Sequence, residues 1–295
     1  MLGVVNLDKP VGPTSHDMVD LVRRLTGMRR IGHAGTLDPL ASGVLPILIG
    51  AATRFSDDLT GGAKRYDAVI RLGVRSATDD AQGPLAPGTP APDAVAIAAA
   101  MALFVGTFDQ RPPAFSARKV EGRVAHRAAR AGTPVEAAPR RVTVNSIDLL
   151  GTEREDGWLD VRCDIRCGPG TYIRSIARDL GERLGCGGHL HALRRTEAAG
   201  LRVADAVTPD QLERLARSDR LGEAILPIAS LLRLPPLRLD AEAAGRFTHG
   251  SAVQVRGQHG AGRHAVFGDR GLLGIGILTD GLLEPRTVIA TQDPA

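Results

Sequence analysis

Two hydrophobic periods run along this chain, and together they restrict it to a fold that combines strands with helices. From Tyr66 to Val74 apolar side chains recur at every second position, as in a strand with one buried face. Between Ile173 and Leu184 they fall instead at Ile173, Ile176, Ala177, Leu180 and Leu184, one face of a helix, with Gly185 as a stop. The same reading gives a short strand over residues 3–7, then a turn at Lys9-Pro10-Val11-Gly12-Pro13. Thr14 or Ser15 caps a helix lined by Met18, Val19, Val22 and Leu25 and closed by Gly27. Residues 31–43 read as loop, 44–49 as a buried strand, 79–92 as an exposed connection, and 94–104 as an alanine-rich helix capped by Asp93. Residues 142–150 and 158–167 read as paired strands joined by a charged turn over 151–157. After Leu193 the pattern weakens. Residues 227–236 read as a linker, and short apolar runs from Leu237 onward suggest a small all-β module.

A length of 295 residues suggests about two domains. Cys163, Cys167 and Cys186 are too few and too unevenly spaced for a disulfide framework or a paired zinc motif, and read as small buried thiols. The first thirty residues carry Asp8, Lys9, Asp17, Asp20, Arg23 and Arg24, unlike a signal peptide. The most apolar run, 44–49, is far short of the ~20 residues of a membrane span. A soluble, cytoplasmic protein without membrane contact is expected. A net charge of +4 with a pI near 9.3 suits a polyanionic partner without requiring one.

Three segments hold polar residues that packing alone explains poorly. The first, residues 32–43, sets Asp38 among Gly32, Gly35, Gly43, Pro39 and leucines; as a bare residue it reads as a turn or cap aspartate. The second is Lys64-Arg65-Tyr66 at a strand start, where a tyrosine ordinarily just packs. The third is Gly170-Thr171-Tyr172-Ile173-Arg174 at a helix start, where a cation opposes the helix dipole and implies another requirement.

In this order, with Leu7-Asp8-Lys9-Pro10-Val11-Gly12-Pro13-Thr14-Ser15 before them and Leu193-Arg194-Arg195 after, these segments closely resemble the TruB family of tRNA pseudouridine synthases. The resemblance covers roughly residues 3–200. It implies that a uridine in the TΨC loop of tRNA, uridine 55, is isomerised on a flipped-out nucleotide. Asp38 matches the family's essential nucleophile, which attacks either C1′ of the ribose or the base ring; the residues leave that choice open. Arg174 matches its partner, a cation that stabilises the carboxylate form and fixes its orientation. Tyr66 matches the tyrosine that stacks on the target base and helps remove the C5 proton. Tyr172 and Leu193 match residues lining the uracil pocket, and His33 one that takes part in flipping. An isomerisation with no redox step or external leaving group implies no cofactor and no metal.

The resemblance also implies an α+β pseudouridine synthase fold, with a large mixed, mostly antiparallel sheet flanked by helices. Residues 1–230 would form this catalytic domain and 231–295 a small β-rich domain of PUA type. Eight Lys or Arg lie between Arg111 and Arg141, against Glu121 and Glu136. That stretch, about 110–141, aligns with the family's RNA-gripping thumb, in which Arg118, Lys119, Arg123, Arg127 and Arg130 would neutralise phosphates, and Lys64 joins the RNA-binding set. Relatives commonly carry a tyrosine and an acid where this chain has His126 and Arg127, which shifts the grip toward electrostatics. The thumb implies a stand-alone monomer, unlike relatives that depend on guide RNA and partner proteins. A non-catalytic RNA binder would not require the full set of Asp38, Tyr66, Tyr172 and Arg174. A glycosidic hydrolase would need a second carboxylate in a comparable motif.

Overall fold

The computed structural model describes residues 1–113, 138–255, 257 and 260–289, and only the backbone of residues 119–120 and 123–124 between the first two stretches. In chain order the strands are β1 (Gly3–Lys9), β2 (Ile31–His33), β3 (Ala41–Ile49), β4 (Lys64–Leu72), β5 (Val74–Ser76), β6 (Leu85–Pro87) and β7 (Gly106–Gln110). There follow β8 (Lys119–Val120), β9 (Arg123–Val124), β10 (Arg140–Glu155), β11 (Trp158–Cys167), β12 (Gly188–Ala198), β13 (Leu201–Arg202) and β14 (Ile225–Leu226). The last five are β15 (Pro236–Arg238), β16 (Val253–Gln254), β17 (Gly262–Gly268), β18 (Gly271–Thr279) and β19 (Leu282–Val288). The helices used below are α1 (Ser15–Thr26), α2 (Ser56–Thr60), α3 (Ala94–Ala102), α4 (Ile173–Arg183) and α5 (Pro209–Arg217).

The principal sheet has the order β14-β1-β3-β12-β4-β11-β10-β7, with β2 also on β3 and β13 on β12. Among the described residues its one parallel strand pair is β3–β12; the others are antiparallel, giving the mixed, mostly antiparallel sheet expected for an α+β fold. On β4 and β11 the strand period divides the two faces. Tyr66, Ala68, Ile70, Leu72, Val161, Cys163 and Ile165 pack under α3 and α4. The opposite face carries cross-strand ion pairs, Arg65–Asp164, Arg162–Asp67 and Arg71–Asp160. Strand β3 is covered on both sides, so its apolar run is nearly continuous: Leu45, Ile47 and Ile49 pack with α1 and α5, while Val44 and Leu48 pack with Phe55 and Ile228.

Helix α1 begins with a capping box between Thr14 and Asp17 and ends at Gly27 in the left-handed region, as its sequence reads. Asp93 caps α3. All three cysteines are buried as free thiols, and burial pushes Cys163 up to about 12 and Cys167 up to about 11. A second sheet, β15-β17-β18-β19-β16, forms the small β-rich C-terminal unit. Its Ile275 and Ile289 pack with Val4 and Leu48 of the principal sheet and with Phe55 of the helical turn that follows β3.

Several expectations are corrected. The turn expected over 151–157 is strand as far as Glu155, because the charged residues pair across to β11, and only Asp156-Gly157 turns. Strand β12, central in the sheet, lies where the apolar pattern weakens; its His189, His191, Arg194 and Arg195 are held by polar partners instead of apolar ones. Residues 31–43 include β2 and the start of β3. The connection over 79–92 is not uniformly exposed, since Asp80 and Ala91 are buried. The linker over 227–236 buries Ile228 and Leu232. Among the described residues no helix is long and apolar enough to cross a membrane.

Candidate active site

The loop between β2 and β3 is fixed from several sides, which leaves the Asp38 carboxylate as its projecting group. The two strands pair from Ile31↔Ile49 to His33↔Ile47, and residues 34–40 bridge them. Leu37 is buried, and its N–H and C=O both bond to the hydroxyl of Ser15, at 2.8 and 2.9 Å. Gly12 N–H donates to Pro39 O at 2.8 Å, and Ala41 N–H to Asp38 O at 3.0 Å. Ser15 at the start of α1 and Gly12 in the turn before it thus anchor the two residues that flank Asp38. Gly43, at φ +103°, lets β3 pass close to β12: a Cβ there would stand 2.2 Å from the Arg195 carbonyl oxygen.

Arg174, second residue of α4, faces this loop. Its Nη2 lies 3.0 Å from Asp38 Oδ2, with Arg174 only 7% exposed and Asp38 42%. The guanidinium also reaches a second carboxylate: Nη1 is 3.4 Å from Asp80 Oδ2, on a side chain 6% exposed, and 3.3 Å from Thr78 O. Asp80 is itself held by Thr78 Oγ1 at 2.6 Å and Gln82 N–H at 3.0 Å. Two anions therefore offset the unfavourable placement of a cation at a helix N-terminus. One turn on, Arg178 binds Asp79 at 2.9 Å, and burial holds the Asp79 carboxyl above its usual range. Asp80 does not stand out in the sequence, because it lies in a stretch that reads as exposed. The one available signal was an adjacent pair of acids, Asp79-Asp80.

Tyr172 caps α4 through its backbone: its N–H donates to Gln110 Oε1 at 2.9 Å, and its C=O accepts from Gln110 Nε2 at 3.0 Å. Tyr66 comes from β4, where burial pushes its phenol up and the Arg195 charge works the other way. Leu193 of β12 stands in register with both Ala41 and Ala68, so it sits between the Asp38 loop and the Tyr66 strand. These elements enclose a cavity of about 230 Å³ lined by Asp38, Tyr66, Tyr172, Arg174 and Leu193, together with Lys64 and Arg195. Cations outnumber anions around it. Lys64 donates to the carbonyls of Thr60 and Gly62 at 2.8 and 3.0 Å, and burial pushes it down to about 8. Lys9, fully buried, ties the turn through Pro10 O and Pro13 O and is likewise pushed down to about 8 by burial, against the attraction of Asp38.

Of the sequence-derived site residues, the structure gathers Asp38, Lys64, Tyr66, Tyr172, Arg174 and Leu193 in one place. His33 stands apart on β2, half-buried and not among the lining residues, its protonated form disfavoured by burial. Arg118, Arg127 and Arg130, like His126, lie outside the described residues. Lys119 and Arg123 appear only as backbone of the short β8–β9 pair. Arg195, to which the sequence motif assigns no role, lines the cavity as well. Among the described residues there is no cluster of three or more His, Cys, Asp or Glu side chains suited to a metal. Chemically, the arrangement offers one partly exposed carboxylate, paired with a buried cation, at a cavity with two aromatic walls and one aliphatic wall.

Comparison with known proteins gives the same direction over nearly the whole chain. The N-terminal domain of TruB family pseudouridylate synthase matches residues 23–173. The C-terminal domain of tRNA pseudouridylate synthase B matches residues 174–233, and the C-terminal region of pseudouridine synthase II TruB matches 235–289. The tRNA pseudouridine synthase B of Ralstonia nicotianae is 42% identical over 295 residues, covering 97% of this chain and 94% of that protein. The same enzyme of Corynebacterium aurimucosum is 46% identical over 261 residues, covering 88% of this chain and 86% of that protein. Among solved structures, the archaeal box H/ACA sRNP Nop10–Cbf5 complex aligns with a TM-score of 0.74 at 26% identity, over 99% of this chain and 88% of that one. An H/ACA RNP bound to a substrate RNA containing 2′-deoxyuridine aligns at 0.73 and 26%, over 99% and 86%.

Proposed function

The chain belongs to the TruB family of pseudouridylate synthases, and from that premise we propose that it converts uridine 55 in the TΨC loop of tRNA to pseudouridine, with Asp38 as nucleophile. The observation that carries this reading is the Asp38–Arg174 ion pair, set in a cavity walled by Tyr66, Tyr172 and Leu193. Breaking the N1–C1′ bond leaves its electron pair on N1. The ribose is then rejoined through C1′ to C5. The C5 hydrogen departs as a proton, its bonding pair rebuilds the C5–C6 double bond, and N1 gains a proton. The product has the composition of the substrate, so the reaction balances without a cofactor.

Asp38 forms the intermediate, at C1′ or on the ring, and Arg174 keeps its carboxylate ionised and oriented toward the nucleotide. Tyr66 stacks on the uracil and helps take the C5 proton, while Tyr172 and Leu193 keep the detached base from escaping. Reaching a base inside a folded loop requires flipping it out at a cost of roughly a few kcal/mol. His33 contributes there by occupying space beside the flipped nucleotide.

Residues 1–230 serve as the catalytic domain, with the thumb at about 110–141. Arg118, Lys119, Arg123, Arg127 and Arg130, with Lys64, neutralise RNA phosphates, and residues 231–295 act as a PUA-like domain on the acceptor stem. The enzyme works in the cytoplasm as a monomer, without guide RNA. The test is to incubate the purified protein alone with an unmodified tRNA transcript and map pseudouridine. Product at position 55 is expected; bound RNA without product contradicts the reading.

A further inference from the structure

Among the described residues Arg195 is the largest fully buried side chain, at 1% exposure, and no carboxylate of theirs stands within ion-pair distance of it. Its strand neighbours are informative. Along β12 it is in register with Tyr66 of β4 on one side and with Gly43 of β3 on the other. Its guanidinium gives Nε to Val44 O at 2.7 Å, Nη1 to Thr36 O at 3.3 Å and Nη2 to Gly35 O at 3.0 Å. Three of five N–H groups are then used, two of them on the loop that carries Asp38. Tyr66, the register partner of Arg195 on β4, lines the same cavity, and the phenol and the guanidinium each favour the other's charged form. Lys9 and Lys64 stand close enough to be repelled by it.

An ion taken out of water costs several kcal/mol, which three neutral carbonyls offset less well than a partner able to carry negative charge. The charge is better used on a group that gains from it, and Tyr66, in register across the strands and lining the same cavity, is the ionisable side chain the fold brings beside it. We propose that Arg195 is a positioning residue of the isomerisation: one guanidinium holds the Asp38 loop and the Tyr66 hydroxyl, fixing the two reacting side chains relative to each other. This rests on the roles given above to Asp38 and Tyr66. Arg195 touches neither base nor sugar in this account; it acts through those two groups.

The test compares wild type, Arg195→Gln and Arg195→Lys. For each, the single-turnover rate of pseudouridine formation on a tRNA transcript, the Kd for that tRNA and the melting temperature are measured. Gln keeps a donor for the loop and loses the charge; Lys keeps the charge and loses the fork. Arg195→Gln is expected to slow the single-turnover step about 100-fold, the scale of losing a preorganised donor, with tRNA Kd unchanged. Arg195→Lys is expected to recover part of that rate. A wild-type rate in Arg195→Gln, or a loss that follows weakened RNA binding or the unfolded fraction, overturns the proposal. If Arg195→Gln does not fold, Arg195→Lys decides alone, and a wild-type rate there overturns it. A wild-type protein that forms no pseudouridine defeats the functional reading instead, so the two failures are distinguishable.

Discussion

Replacing Ser15 by alanine should damage the site although Ser15 itself is absent from the cavity lining. Its hydroxyl accepts the Leu37 N–H at 2.8 Å and donates to the Leu37 C=O at 2.9 Å, in a buried position one residue before Asp38. Alanine leaves both backbone groups without that partner. Each unsatisfied buried group costs about 1–3 kcal/mol. Partial relaxation of the loop lowers the sum, so a loss of about 2–4 kcal/mol in unfolding free energy is expected. The relaxation itself has a catalytic cost. A shift of about 1 Å in a reacting group is worth roughly 100-fold in rate, so the single-turnover step should slow on that scale while tRNA binding holds. Urea unfolding gives the first quantity, and rapid-quench kinetics on an unmodified tRNA transcript gives the second. A stability change below about 0.5 kcal/mol together with a wild-type rate would refute the role given to this hydroxyl.

Gly43→Ala should destabilise the protein by roughly 3 kcal/mol or more, because the new Cβ meets the Arg195 backbone and the φ of +103° is strained for alanine; a near-native melting temperature would contradict this. Arg174→Met removes the cation shared by Asp38 and Asp80 and should cost about 3–5 kcal/mol, since Asp80 stays buried. Calorimetry checks that figure, and the rate should fall with it. For Lys64 the folded protein releases its proton near pH 8 and the unfolded chain near 10.5. Across that window the unfolded state binds more protons, so wild-type stability rises with pH relative to Lys64→Met. Urea melts of both proteins from pH 7 to 10 test the sign, and a falling difference would overturn it.

The sequence and the structure agree best where chemistry and local geometry coincide. Thr14, Asp17 and Gly27 delimit α1 through backbone hydrogen bonding, which is written in adjacent residues. The alternation that begins at Tyr66 gives β4, and the spacing from Ile173 gives α4. What stayed hidden depends on partners distant in the chain. Strand β12 does not alternate, because Arg194 is matched by Asp8 and Arg195 by the carbonyls of Gly35, Thr36 and Val44. Asp80 reads as loop surface until Arg174 closes over it, ninety-four residues away. Ser15 reads as a helix cap, yet its hydroxyl serves Leu37, while Thr14 does the capping. The helix-start arginine, by contrast, advertised a partner simply by opposing the dipole.

The proposed reaction depends on one carboxylate, that of Asp38. Asp38→Asn is nearly isosteric, so it leaves the loop and its anchors in place while removing the negative charge. The decisive measurement is pseudouridine formation by Asp38→Asn on an unmodified tRNA transcript, beside tRNA affinity measured in the same buffer. No product with wild-type affinity is the expected result. Product at a rate near wild type, with the substitution verified, would show that Asp38 is not the nucleophile.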